Sequence, residues 1–390
     1  MSKIKKIYLD LCMSSVFNRL LNKPLFLLFA DYVNAKEDDE RIKAYSSMVS
    51  EIYKNGGALT DAVRTLIFED ENPYVILRSQ EKEISSSILG AVKHELDAFS
   101  SFASLTAEDF AQDMQIDFVS PFDSEKCNLL VEYEERMRNI ANYGYGIFAS
   151  NSMLRPNGEG VLTPVISADK TTLDSFIGYE NERLAVIENT LKFIEGKPAA
   201  NVLLCGDAGT GKSSTVKAIV NEYFDRGLRL IELRKDQLSI LPEIMGKIVD
   251  NPLKFIIFID DLSFNKNDDN FSMLKAALEG SASAKSDNAL IYATSNRRHI
   301  VKETFDDREG EDVHRNDTMQ EKLSLSERFG LVVLFQKPNK QLYLDIVHRL
   351  AERYYISMDK TAMDIKAEEF ALRRGNRSAR CAEQFIKSLI

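Results

Sequence analysis

The sequence predicts a parallel α/β domain set between two helical regions. Three observations lead there. Apolar strand-like runs alternate with helical patterns from about 171 to 336, a glycine-rich loop follows one of those runs, and the flanking regions carry helical periodicity.

The strand candidates are Asn201-Val-Leu-Leu-Cys205, Leu228-Arg-Leu-Ile231, Phe255-Ile-Ile-Phe-Ile259, Ala289-Leu-Ile-Tyr-Ala293 and Leu331-Val-Val-Leu-Phe335, so a parallel five-stranded sheet is expected. Before it, Ile42, Tyr45, Met48, Val49, Ile52 and Tyr53 recur at helical spacing and stop at Asn55-Gly56-Gly57. Thr106-Ala-Glu-Asp109 resembles a capping box, and Leu129, Leu130, Tyr133, Met137 and Ile140 share one helix face. These stripes point to packing, not to chemistry. The segment 142–170 is turn-rich, with Asn142-Tyr-Gly-Tyr-Gly146, Arg155-Pro-Asn-Gly-Glu-Gly160 and Pro164. At 390 residues the chain exceeds one ordinary domain. The expected division is a helical domain over 1–141, a linker over 142–170, the α/β domain over 171–336 and a small helical region over 337–390.

Composition narrows the class. Hydrophobic residues at 44% and charged residues at 28% are ordinary for a globular protein. A net charge of −10 argues against general affinity for nucleic acid or anionic membranes, though a local basic patch leaves a DNA-associated role open. Cys12, Cys127, Cys205 and Cys381 lie far apart with no CxxC pair, which fits reduced thiols. The basic start is broken by Asp10 without a small-residue cleavage site, and the apolar run 25–30 is too short to span a bilayer. A cytoplasmic protein is expected.

The chemistry concentrates in three places. Gly206-Asp207-Ala208-Gly209-Thr210-Gly211-Lys212-Ser213 fits G-x-x-x-x-G-K-[ST] between a strand and a helix. Its glycines let backbone N–H groups converge on phosphates at a helix N-terminus. Lys212 is expected to reach the β- and γ-phosphates, and Ser213 to bind Mg²⁺. Asp260 and Asp261 end an apolar strand. Asp260 is expected to hold Mg²⁺ and Asp261 to polarise the attacking water. Asn296 ends the run Ala289-Leu-Ile-Tyr-Ala-Thr-Ser-Asn296, where a carboxamide can orient that water; taken alone it is equally a turn residue. Asn265-Lys-Asn-Asp268 spells a guanine-reading string but follows the acidic pair directly, the wrong place for that role.

Taken together, the phosphate loop, the Asp-Asp strand, the Thr-Ser-Asn strand and the helical tail resemble the AAA+ P-loop ATPases. Asp174-Ser-Phe-Ile-Gly-Tyr179, Asn189-Thr-Leu-Lys-Phe193, Gly206-Asp-Ala-Gly-Thr-Gly-Lys-Ser-Ser214, Asp260-Asp-Leu-Ser-Phe264, Ala293-Thr-Ser-Asn-Arg-Arg-His299 and Ser324-Leu-Ser-Glu-Arg-Phe-Gly330 look more narrowly like the bacterial domain of unknown function family 815, over roughly 140–390. The resemblance implies an AAA+ core over 171–336 with a C-terminal helical lid. It implies Arg328 as an arginine finger reaching a neighbouring subunit, Arg380 as the lid arginine (with Arg377 as fallback), Gly178 beside adenine and Ser214 in the phosphate loop. Most AAA+ enzymes carry Glu where Asp261 stands, which bears on hydrolysis rate rather than on ATP binding.

The leading expectation is an ATP-hydrolysing, Mg²⁺-dependent homo-oligomer that remodels an unknown macromolecule through its N-terminal domain. The alternative is a slow ATP-dependent switch. A helicase-loader-like DNA partner requires a basic groove, and a small-molecule kinase lacks any visible acceptor site.

Overall fold

Each of the apolar runs becomes a strand. The structure is a computed structural model that describes residues 1–167, 169–262, 273–275, 278, 287–296 and 328–390. It divides into two units, Met1–Ser150 and Asn151–Ile390.

The first unit is helical: α1 (Lys3–Cys12), α2 (Pro24–Asn34), α3 (Asp38–Lys54), α4 (Leu59–Glu69), α5 (Pro73–Ser79), α6 (Ser86–Ala103), α7 (Ala107–Met114), α8 (Leu129–Arg138) and α9 (Ile140–Tyr143). Local signals set the boundaries. Ser2, Asn72 and Ser85 cap α1, α5 and α6 through their side chains, and Thr106 and Asp109 form the expected reciprocal box at α7. Asp38, Asp39 and Glu40 place negative charge in the first turn of α3, which ends before Asn55-Gly56-Gly57. The core is strongly aromatic. Phe26 meets Phe99 edge-on at 5.3 Å, and Tyr32 meets Phe110 at 5.1 Å. Glu95, 1% exposed, is accommodated because Ser15 N (2.8 Å), Val16 N (3.1 Å) and Phe17 N (2.9 Å) all donate to it.

In the second unit come β1 (Met153–Pro156), β2 (Leu162–Pro164), α10 (Glu180–Ile194), β3 (Val202–Gly206), α11 (Lys212–Glu222), β4 (Leu228–Leu233), α12 (Leu241–Ile248), β5 (Lys254–Ile259), β6 (Ala289–Ser295), β7 (Leu331–Phe335), α13 (Lys340–Arg353), α14 (Lys360–Arg374) and α15 (Ala379–Lys387). The sheet runs β2-β1-β4-β5-β6-β3-β7, with every pair parallel except β1–β2. The five expected strands β3 to β7 thus form one parallel sheet, as the sequence predicts.

The expected count of five strands is corrected to seven among the described residues. The two additions come from the turn-rich segment. There β1 pairs parallel with β4, and β2 folds back on β1 with Leu154 opposite Pro164. Strands of four and three residues ending in proline at a sheet edge have too little alternation to be read from sequence. The central strands β3, β4 and β5 are buried almost throughout, β3 and β5 as apolar runs and β4 with Arg229 buried among its apolar residues.

The C-terminal helices build their own core, in which Tyr343, Ile346, Val347, Phe385 and Ile386 pack together and Ile177 joins from the segment before α10. Asn265-Lys-Asn-Asp268, Arg297 to His299 and Ser324 to Glu327 lie outside the described residues.

Candidate nucleotide site

Sheet order decides which side chains can meet. Strand β6 lies between β3 and β5, and its register aligns Ser295 with Cys205 and Ala293 with Ile259. The carboxyl ends of the three strands are therefore level, the place where parallel α/β sheets bind ligands. Asn296, one residue past β6, falls between Lys212 and Asp261.

The hydrogen bonds follow from that placement. Lys212 Nζ donates to Gly206 O (2.9 Å), Asp207 O (2.7 Å) and Asn296 Oδ1 (3.1 Å). Asn296 Nδ2 in turn donates to Asp261 Oδ1 at 2.8 Å. One carboxamide thus joins the ammonium to the second acid. Ser213 Oγ donates to Asp260 Oδ1 at 2.6 Å. Lys212 is 6% exposed, and burial holds its ammonium below the ordinary lysine range despite the nearby Asp207 and Asp260 carboxylates.

Backbone geometry explains the glycines. Gly206 has φ +132°, and a Cβ there would lie 2.0 Å from Phe335 O, so no other residue fits where β3 enters the loop beside β7. The loop is held in shape from both sides. Asp207 N donates to Phe335 O (3.2 Å), Lys337 N donates to Asp207 Oδ2 (2.9 Å), and Thr210 Oγ1 donates to Asp207 O (2.9 Å). Ala208 is exposed at the loop's crest, Gly211 has φ +91°, and Ser214 follows in the first turn of α11.

The lid touches the loop directly. Arg380 N donates to Gly209 O at 3.2 Å, and a Cβ added at Gly209 would stand 3.2 Å from Ser378 Oγ and 3.4 Å from Arg380 Cβ. The two candidate lid arginines separate here. Arg377 is engaged by Glu368 through Nε (2.9 Å) and Nη2 (2.6 Å), whereas Arg380 is exposed at the loop. Gly178, with φ +77°, packs under the lid, where an added Cβ would lie 3.1 Å from Ile346 Cδ1. Arg349 Nη1 to Glu180 Oε1 and Arg353 Nη2 to Asp174 O, both 2.8 Å, tie α13 to the same segment.

Arg328 is not part of this cluster. It is half-buried just before β7, and Leu331 pairs with Val202 while Phe335 pairs with Gly206. Arg328 therefore precedes the end of β7 opposite the phosphate loop, and the four-residue rise between the two ends of β3 is about 13 Å.

Two residues at the site went unread in the sequence. Thr294, 2% exposed, donates to Asp260 Oδ1 and accepts from Asp261 N at 2.9 Å. Its spacing of two from Asn296 on a strand, which places both side chains on one face, was the available signal. Ser378 caps α15 and abuts Gly209; a serine before an apolar helical stretch was its signal.

Fit to a magnesium ion rests on the donors. Ser213 and Asp260 supply hard oxygens, and Asp260 Oδ2 receives no hydrogen bond among the described residues. No group of three or more His, Cys, Asp or Glu able to hold a metal occurs among those residues. No helix among them is long and apolar enough to cross a membrane.

A search of the curated proteins finds no match. Among solved structures, a variant of Thermotoga maritima RuvB is 18% identical over 56% of this chain and 64% of its own, with a TM-score of 0.38. The match thus spans less than two thirds of that protein. The structure titled Thermotoga maritima RuvB Holliday junction branch migration motor is 14% identical over 57% of this chain and 72% of its own, with a TM-score of 0.34. Neither likeness carries weight for function. The model of the family described as protein of unknown function (DUF815) matches residues 148–390, more than half of the chain. The chain belongs to the DUF815 family.

Proposed function

We propose that this protein is a Mg²⁺-dependent ATPase that works as a homo-oligomer and spends hydrolysis on conformational change in a macromolecular target held through residues 1–141. The observation that carries it is the run Lys212–Asn296–Asp261 beside the Ser213–Asp260 pair. These groups serve the three needs of phosphoanhydride hydrolysis: a phosphate cradle, a metal position and a placed base.

The backbone of 206–211 and the Ser214 amide receive the phosphates, Lys212 neutralises the β/γ oxygens, and Arg380 reaches them from the lid. Gly178 borders adenine. Ser213 and Asp260 hold Mg²⁺, which supplies charge neutralisation when bound. Asn296 orients a water and Asp261 takes its proton. The water oxygen bonds to the γ-phosphorus as the bond to the β-bridging oxygen breaks, releasing ADP and phosphate.

Arg328 precedes the end of β7 opposite its own loop, which supports delivery to a neighbouring subunit. Fingers of that kind contribute roughly 10³–10⁵ in rate. Arg328→Ala is expected to bind ATP normally and hydrolyse it poorly. Mixing it with Lys212→Ala is expected to restore activity, because an intact pocket then meets an intact finger. Wild-type specific activity is also expected to rise with protein concentration. The shorter Asp261 favours a second reading, a slow ATP-dependent switch. An inactive mixture together with flat specific activity on dilution selects that switch.

A further inference from the structure

We propose that Thr294 is the positioning residue that aligns both acids of the site, so that Asp260 and Asp261 act as one unit set by strand β6. This rests on the metal and base roles proposed above. Asp260 Oδ1 is saturated: Ser213 Oγ donates at 2.6 Å, Asp261 N at 3.2 Å and the Thr294 hydroxyl at 2.5 Å. That leaves the other oxygen, Oδ2, with no donor on it among the described residues and open to a metal. The same hydroxyl accepts the Asp261 amide at 2.9 Å, and Leu262 N donates to Thr294 O at 2.7 Å. These two bonds hold the chain through the turn at which Asp261 takes φ +53°, a left-handed conformation few side chains adopt.

A hydroxyl performs both tasks from one atom, because it donates to a carboxylate while accepting from an amide. Thr294 is 2% exposed, so water cannot replace it in either bond. Valine keeps the shape, and it leaves the Asp261 amide unpaired and frees Asp260 to rotate. Serine keeps both bonds.

The test compares Thr294→Val with Thr294→Ser in the full chain. Two quantities are read: Mn²⁺ affinity of the ADP complex by electron paramagnetic resonance, and kcat and KM for ATP. In the valine variant Mn²⁺ affinity and kcat are each expected to fall about tenfold or more, the scale of a lost hydrogen bond to a charged group, with KM nearly unchanged. The serine variant is expected to stay within about twofold of wild type on both, one hydroxyl being as good as the other. Wild-type behaviour in the valine variant overturns the proposal, as does equal damage in both variants, because the hydroxyl that serine retains would then not be what aligns the acids. Failure of the wild type to bind Mn²⁺ with ADP overturns it too. A wild type that binds Mn²⁺·ADP, loses it in the valine variant and never hydrolyses ATP removes the ATPase reading and leaves Thr294 standing.

Discussion

Asp261 shows how much one backbone angle settles. Its φ of +53° lies in a region that Asp and Asn tolerate better than longer side chains, and Asn296 then holds its carboxylate at 2.8 Å. Two adjacent acids after an apolar strand were legible in the sequence. The left-handed turn was not, because it depends on Thr294 from another strand. The same holds for Arg380 and Arg377, which look equivalent in sequence and differ because Glu368 engages only Arg377. At this position a glutamate is not a longer version of the same base, since its carboxylate would no longer sit where Asn296 now holds that of Asp261 at 2.8 Å. Asp261→Asn is expected to keep Mg·ATP binding and lose about tenfold or more in turnover, the lower range for a missing general base. Asp261→Glu is expected to turn over no faster than wild type. Steady-state rates beside calorimetric affinities check both, and a faster glutamate variant would contradict the backbone explanation.

Among the elements, the strands β3 to β7 were legible as mainly apolar runs, the pattern that parallel strands in a largely buried sheet impose. The edge pair β1–β2 was hidden by prolines and by its shortness. What no local pattern encodes is the meeting of loop and lid at Gly209. Its φ of +79° strains any side chain, and an added Cβ would stand 3.2 Å from Ser378 Oγ, a tight contact to which Ser378 must yield. Gly209→Ala is expected to weaken nucleotide binding by about tenfold, combining left-handed strain of roughly 1–2 kcal/mol with displacement of α15. Calorimetry reads the affinity; an unchanged value would mean that the lid contact does not shape the phosphate cradle.

At the scale of the whole molecule, each unit carries its own hydrophobic core, an aromatic one in residues 1–150 and separate sheet and lid cores beyond. The family match begins at 148, so the chemistry and the shared sequence coincide in the second unit. Everything proposed for the protein depends on that unit taking Mg·ATP at one loop. Lys212 is the side chain whose charge the loop is built around, and burial has already lowered its hold on its proton. Wild-type affinity is therefore expected to decline on the alkaline side sooner than an ordinary lysine would allow, as the ammonium is lost from the empty site. The decisive measurement is a calorimetric titration of Mg·ATP into wild type and Lys212→Ala at neutral pH. Saturable binding of one nucleotide per chain by the wild type and none by the variant is the predicted result. Near wild-type affinity in Lys212→Ala would contradict it.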